Sequence, residues 1–281
     1  MPSHDHGTKS LYMAGLTTML VPPGDKPGNP HHQLSTIMRL FTTLFFATIL
    51  FTGVTCVQAA DAPAKTRVLL ITGDDVSAHD WLSCAAATRD ILQGSGQFTV
   101  DVTGNAEVLA KADNLKNVDV ICFLMYNAKT PMLSDGGKAN LLEFVTGGKG
   151  FVVSHLASAS FKDWAEFRNL CGRVWVMGAS GHGPRSVFKA KMVDAASPIT
   201  KGVKDFDQDD ELYAKLQGDA PIHVLMQADS DFSKQVEPLA FTLDYGKGRV
   251  FHHTFGHDAK ALATPEVKTL IVQGTAWAAG K

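Results

Sequence analysis

The chain has 281 residues, 45% of them hydrophobic, and carries 26 Lys and Arg against 28 Asp and Glu, a formal net charge of −2. This length and apolar content are enough for one large domain with a substantial core. The charges are spread along the chain without a basic cluster, which argues against nucleic acid as a partner.

The first 59 residues are predicted to lie outside the mature domain. Residues 1–37 are interpreted as an upstream extension, because they are rich in Pro, Gly and His and show no helical or strand period. Residues 38–59 combine a positive start, an apolar run and small residues before Ala60, which indicates a signal peptide and a secreted or periplasmic protein. A membrane anchor is the alternative, since the apolar run approaches the ~18 residues of a span. Residues 60–281 are then expected to form one α/β domain that is free of the membrane after cleavage.

The first half of this domain alternates between strands and helices. Continuous apolar runs that end at turn residues are typical of strands buried on both faces of a parallel sheet, and helical spacing separates them. The predicted strands are Arg67–Gly73, Phe98–Val102, Val118–Met125 and Phe151–Ser154, and the predicted helices are Trp81–Leu92, Ser134–Phe144 and Trp164–Leu170. Parallel strands need crossover helices, so this order predicts a mostly parallel, doubly wound sheet with helices on both faces.

The second half of the domain is predicted to contain shorter strands. They are predicted at Val187–Val193, His223–Ala228, Leu239–Tyr245 and Arg249–Thr254, with a hairpin turn at 245–248 and a last helix from Pro265 to Ala279. Cys84 and Cys122 lie in apolar helix and strand contexts, so buried thiols are favoured over a bridge, although export permits disulfides.

Two common kinds of site are disfavoured. Gly73 ends the first strand, but two aspartates follow it and neither GxGxxG nor GxxxxGK[ST] is present, so no nucleotide cofactor is expected. Ser154 or Ser158 paired with a histidine would be a nucleophile after a buried strand, but the segment lacks both G-x-S-x-G and cysteine. We therefore do not predict a catalytic triad.

Histidines near strand ends are the strongest chemical signal. His155, His182 and His257 lie close to predicted strand ends, and sheets of this class gather ligand-binding residues outside the carboxyl ends of their strands. Neutral imidazoles bind Zn²⁺ or a similar divalent ion, so the three are metal-ligand candidates. Unrelated loop contacts are the alternative. His252 and His253 are adjacent in a strand and point to opposite faces, so at most one can join them.

Acidic and aromatic residues supply further candidates. Glu211 stands in an acidic run and is interpreted as a general base or an oxygen ligand, against the alternative of a solvated loop. His79 and Trp81 flank a predicted N-cap at Asp80 and are expected at the rim of the crevice. Trp81, Tyr126 and Tyr213 offer flat surfaces on which a sugar ring can stack.

Several segments together resemble the ThuA-like family, bacterial proteins named for trehalose utilisation: HDW, GFVVSHLASASFKDW, CGRVWVMGASGHG, SPITKGVKDFDQDDELY and YGKGRVFHHTFGHD. The resemblance implies a flavodoxin-like sheet similar to that of class I glutamine amidotransferases. It also implies breakdown of disaccharides or glycosides after oxidation to 3-keto sugars. By motif it carries over His79, His155, His182, Glu211, Tyr213, His257 and Asp258. Glutaminases of this fold have a cysteine where this chain has Ser154-His155, so glutaminase activity is not implied.

Together these observations predict a secreted enzyme that cleaves or hydrates a (3-keto-)glycoside or disaccharide, with a sugar dehydrogenase as a functional partner. The catalytic residues are predicted to be His155, Glu211 and His257; the substrate-binding residues His79, Trp81, Tyr126 and Tyr213; and the metal ligands His155, His182 and His257. Asp258 is expected to orient His257. A non-catalytic carbohydrate-binding module and an unrelated metal-assisted hydrolase remain the alternatives.

Overall fold

One nine-stranded sheet organises the residues that the computed structural model describes, which are 64–73, 77–124, 126 and 133–281. The predicted extension and signal peptide lie outside these residues. Ala60–Lys281 forms a single unit. The strands are β1 Thr66–Ile71, β2 Phe98–Thr103, β3 Val120–Phe123, β4 Gly150–Ser154, β5 Ser186–Met192, β6 Phe206–Asp210, β7 His223–Asp229, β8 Val236–Tyr245 and β9 Gly248–His253. The α-helices are α1 Trp81–Gly94, α2 Asp135–Thr146, α3 Ala165–Cys171, α4 Ala259–Leu262 and α5 Pro265–Ala278.

The sheet has two halves with different pairing. Its order is β2-β1-β3-β4-β9-β8-β7-β5-β6. The first five strands in this order, β2 to β9, pair in parallel. Their order matches the flavodoxin-like 2-1-3-4-5 arrangement if β9 is counted as the fifth parallel strand. The four pairings from β9 to β6 are antiparallel.

The α/β class and the helices on both faces are therefore confirmed, but the prediction of a mostly parallel sheet is wrong. The reason is the length of the connections after residue 186. A short turn at 245–248 joins β8 to β9, and such a turn can link only antiparallel strands. The crossover helices that parallel pairing needs occur mainly in the first half of the domain.

Apolar side chains fill both faces of the parallel half. Val152 of β4 packs into the cluster beneath α1 and α5, whereas its neighbours Phe151 and Val153 pack into the cluster beneath α2 and α3. This alternation explains why the strand reads as a continuous apolar run. The three cysteines that the structure describes, Cys84, Cys122 and Cys171, are buried free thiols, as predicted for the first two. No helix among the described residues is long and apolar enough to cross a bilayer.

Candidate functional site

Four side chains meet at the carboxyl ends of the strands. His79, His155, Glu211 and His257 each offer one ligand atom, and these four atoms all lie within 4.8 Å of one another. We call these four residues the histidine–carboxylate centre. The imidazole of His155 is buried, and those of His79 and His257 and the Glu211 carboxylate are largely enclosed.

Each member of the centre follows a strand that ends at the same edge. His155 comes directly after β4, His257 follows β9, and His79 stands between β1 and the start of α1. Glu211 follows β6, which runs in the same direction as β9 because four antiparallel pairings separate them. The strand-end rule for doubly wound sheets thus applies even to a strand of the antiparallel half.

The backbone at His155 is strained. Its φ of +50° lies in the left-handed region, which side chains other than Gly, Asn and Asp rarely adopt. Strain of this kind costs on the order of 1–3 kcal/mol and persists where the surrounding structure fixes it, often at functional sites. Here it turns the chain from β4 into a short 3₁₀ helix, His155–Ala159.

The buried carboxylate of Asp210 holds two parts of the centre in place. Its Oδ1 accepts hydrogen bonds from the backbone N–H groups of Glu211 at 2.9 Å and His257 at 3.1 Å. Its Oδ2 accepts one from the Gly256 N–H at 2.8 Å. Gly256 has a φ of +119°, a conformation that favours glycine. Asp210 therefore fastens the end of β6 to the turn after β9.

A backbone carbonyl sets the tautomer of His155. Its Nδ1 lies 2.7 Å from the Thr254 carbonyl oxygen, which can only accept, so Nδ1 carries the proton. In the neutral imidazole, Nε2 is then unprotonated, and its lone pair is directed into the centre. Metal-binding histidines are commonly oriented in this way by a carbonyl or a carboxylate.

The donor atoms are spaced as a bound cation requires. The Nε2 atoms of His79 and His155 are 3.1 Å apart. Oε2 of Glu211 lies 3.2 Å from His257 Nδ1, 3.6 Å from His155 Nε2 and 3.8 Å from His79 Nε2. In a tetrahedral site with ligands about 2.1 Å from the ion, donor atoms lie about 3.4 Å apart. The four spacings, from 3.1 to 3.8 Å, scatter around that value.

Hydrogen bonding supports the same reading. Glu211 Oε2 and His257 Nδ1 are both buried, and neither has a hydrogen-bond partner among the described residues despite their 3.2 Å separation. Buried polar atoms are normally satisfied, so a facing pair that is not satisfied calls for an explanation. A cation between them would satisfy both atoms.

The protonation states suit a cation as well. Burial, followed by the neighbouring His155 and His257, lowers the pKa of His79 to about 4, so this ring is neutral at pH 7. Burial raises the pKa of Glu211, but His155, His182 and His257 outweigh that effect and bring the pKa to about 2. Metal ligands must be deprotonated, and both groups meet that requirement.

His182 and Tyr213 border the centre. His182 Nε2 lies 3.5 Å from Oε1 of Glu211, whereas His79, His155 and His257 pair with Oε2, and the His182 side chain is 32% exposed. The Tyr213 hydroxyl is 2.9 Å from His155 Nε2, and its ring stacks on His155 with centroids 4.2 Å apart. The sequence predicts His182 as a metal ligand and His79 as a rim residue; in the structure His79 lies within the centre and His182 borders it.

The other predicted residues lie near the centre without joining it. Trp81 is half-buried and packs against the core beneath α1. Tyr126 packs beside Tyr213. Asp258 does not hydrogen-bond the His257 ring: it caps α4 by accepting from Ala261 N–H at 2.7 Å and pairs with Arg185. The expected orienting role therefore falls to Asp210, which acts on the His257 backbone.

A flavodoxin-like parallel half with a polar centre at its carboxyl edge defines a doubly wound α/β protein, a class in which ligands generally bind outside the carboxyl ends of the strands. The family model for ThuA, described as trehalose utilisation, matches residues 67–278, and the chain belongs to this family. The family indicates a role in sugar metabolism.

Solved structures agree with this assignment. A ThuA-like protein from Parabacteroides merdae ATCC 43184 is 26% identical, with a TM-score of 0.69 over 78% of this chain and 91% of that one. A ThuA-like protein from Bacteroides uniformis ATCC 8492 is 19% identical, with a TM-score of 0.62 over 78% and 93%. A β-galactosidase from Rahnella sp. R3 shares the fold at 16% identity and a TM-score of 0.51, over 74% of this chain and 31% of that one. No curated protein matches the chain.

Proposed function

We propose that this chain is a secreted, metal-dependent enzyme that cleaves or hydrates a 3-keto-glycoside or disaccharide. The observation that carries the proposal is the convergence of three imidazoles and one carboxylate on a common point. Imidazole ligands suit Zn²⁺ and related divalent ions. The family supports a sugar as the substrate.

The chemistry of a 3-keto sugar fits a centre of this kind. The ketone acidifies the C–H on carbon 2, so a base can remove that proton while the bond from carbon 1 to the glycosidic oxygen breaks. The leaving alcohol takes up a proton, and water then adds across the resulting double bond to complete a net hydrolysis. A bound divalent ion would supply Lewis acidity to the ketone oxygen.

The residues divide these tasks. His79, His155 and His257 would hold the ion, together with Oε2 of Glu211. The second oxygen of Glu211, which faces His182, is the one that we assign to the substrate proton. Asp210 accepts hydrogen bonds from the backbone N–H groups of both Glu211 and His257. This fixes the spacing between the Glu211 carboxylate and the His257 imidazole.

The metal is tested first. Protein purified without an affinity tag and incubated with Zn²⁺ is expected to retain about one ion per chain after dialysis, measured by elemental analysis. Glu211→Gln and His257→Ala should lose the ion and the turnover of 3-keto-trehalose. His223→Ala is the matched control. His223 is the first residue of β7, is exposed and pairs with Asp194, so it takes no part in the centre. An unaltered metal content in both centre variants would overturn the metal assignment.

Substrate class is tested separately. The 3-keto substrate has to be made by oxidation of a sugar hydroxyl, so we propose a sugar dehydrogenase as the functional partner. Metal-loaded protein is mixed with trehalose or 3-keto-trehalose, and calorimetry is run beside product analysis. Product from the keto sugar alone is the expected result. Binding of either sugar without any product would instead support a carbohydrate-binding module.

A further inference from the structure

An aromatic cavity of about 240 Å³ lies beside the histidine–carboxylate centre. Its walls come from the segment that follows β4, from α3 and from residues 174–177. The aromatic residues among them are Tyr126, Phe161, Trp164, Phe167 and Trp175. Small-molecule sites are typically concave, with aromatic walls and few polar groups, and span about 300–1,000 Å³. This cavity lies just below that range.

One strained segment serves both the centre and the cavity. It begins at His155 and ends at Phe161, and both residues have a φ of +50°. His155 belongs to the centre, whereas residues 158–161 line the cavity. Two left-handed residues six positions apart in one short segment are costly, and such strain clusters at functional sites. The segment thereby fixes the cavity relative to the centre.

Trp175 connects the cavity to the mouth of the centre. Its ring lines the cavity and lies 4.5 Å from the ring of Tyr213 and 5.8 Å from that of His182, measured between centroids. The indole N–H donates to the sulfur of Met177 at 3.3 Å. Thioether sulfur is a weak acceptor, so a ligand hydroxyl can readily replace it.

The charges around the opening also suit a sugar. Lys162, Asp163 and Arg168 contribute to the lining and are exposed, so they can meet hydroxyl groups as donors or acceptors. A hexose has an apolar C–H face that stacks on an aromatic ring and hydroxyls around its edge. A volume near 240 Å³ is suited to one such ring rather than to a whole disaccharide.

We propose that this cavity is a subsite for a single hexose ring of the substrate, with Trp175 as its stacking platform. The proposal rests on the proposed function, because it takes a sugar as the ligand. It goes further by assigning one hexose ring of the substrate to the cavity. It also predicts that a substitution in the cavity weakens sugar binding without affecting metal binding. The two rings of a disaccharide would then lie on either side of Trp175, one in the cavity and one toward the centre.

The experiment measures sugar affinity and metal content in the same variants. Metal-loaded protein is titrated with trehalose and with 3-keto-trehalose by calorimetry. Trp175→Ala should weaken binding about 2- to 12-fold, in line with the energies of aromatic contacts, while retaining the metal. Trp175→Phe keeps a ring and should restore most of the affinity. Trp277→Phe, on α5 beside Arg249, is the control and should bind as the parent does.

The possible outcomes separate the two proposals. If the parent binds either sugar and Trp175→Ala binds it equally well, the subsite is overturned and the proposed function stands. If the parent binds neither sugar, the subsite and the sugar assignment fall together. If Trp175→Ala loses both sugar and metal while Trp175→Phe recovers the metal alone, Trp175 supports the centre and the subsite is overturned.

Discussion

Two groups of buried histidines occur in the described residues, and they differ in what surrounds them. The histidine–carboxylate centre stands at the strand ends around Glu211. His252 and His253 lie within β9, where burial lowers their pKa values to about 4 and about 3. His252 donates to the Cys171 carbonyl from Nδ1 and packs against Phe241, and no carboxylate contributes to its pKa. Burial of histidines alone therefore does not make a ligand set.

The difference follows from position along the strand. Adjacent residues in a strand point to opposite faces, so His252 and His253 enter separate cores and cannot meet. Residues that follow the end of a strand do not alternate between the two faces of the sheet, so their side chains can converge on one point. A carboxylate at that point then distinguishes a ligand set from two packed imidazoles.

The sharpest way to break this comparison is to remove one imidazole from each group. His155→Asn keeps a residue that tolerates the left-handed backbone but removes the Nε2 ligand. We expect at least 100-fold loss of metal affinity and of 3-keto-trehalose turnover, since a tetrahedral ion would be left one ligand short. Metal affinity by competition with a chelator provides the measurement. Equal metal affinity in His155→Asn and the parent would show that the two groups do not differ as argued.

A smaller effect is expected from the residue that aligns the centre. In Asp210→Asn an amide N–H₂ replaces an oxygen that now accepts backbone N–H groups, so at least one bond is lost. Loss of an outer residue of this kind typically lowers metal affinity about 10- to 100-fold.

Its neighbour supplies the control. Asp209 pairs with Arg185 and Lys260 on the outer side of β6 and does not contact the centre. Asp209→Asn should leave metal affinity within about twofold of the parent, because pairs this exposed contribute little. If the two variants bound metal equally, Asp210 would not align the centre.

The sequence predicted the parallel strands well and β6 poorly, for a physical reason. β3 and β4 read as continuous apolar runs because both their faces are buried. In β6 the buried positions 206, 208 and 210 alternate as a strand requires, but Gln208 and Asp210 are polar. Their burial is compensated by hydrogen bonds to the segment after β9, which lies 46 residues or more away and leaves no mark in the local pattern.

The site shows the same limit. His155 and His257 could be found because each stands close to a readable strand end. His79 is predicted only at the rim, because its 3.1 Å approach to His155 joins residues 76 positions apart and no local spacing encodes such a contact. Trp175 was not singled out, although it bridges the cavity and the mouth of the centre; its only local signal was an aromatic residue within the CGRVWVMG segment.

The smallest effect on metal binding is expected from a substitution in β9. There the packed His252 is expected to influence the pH dependence of stability and not the metal. Above pH 6.5 the His252 ring is neutral in both the folded and the unfolded chain. As the pH falls from 6.5 to about 4, the unfolded chain takes up a proton that the folded protein excludes by burial, so the free energy of unfolding decreases. A shift from 6.5 to about 4 corresponds to about 3 kcal/mol at its full extent.

His252→Phe should remove this share of the pH dependence and leave the metal in place. Urea unfolding at pH 7 and pH 4.5 gives the comparison, with His223→Phe as the exposed control. The stability difference between the two pH values should shrink in His252→Phe and change far less in His223→Phe, because an exposed pair such as His223–Asp194 contributes little. Since both proteins keep the centre intact, their metal content should match that of the parent. A loss of metal from His252→Phe would mean that the two histidine groups are coupled through β9, and the contrast between ligand set and packed imidazole would no longer hold.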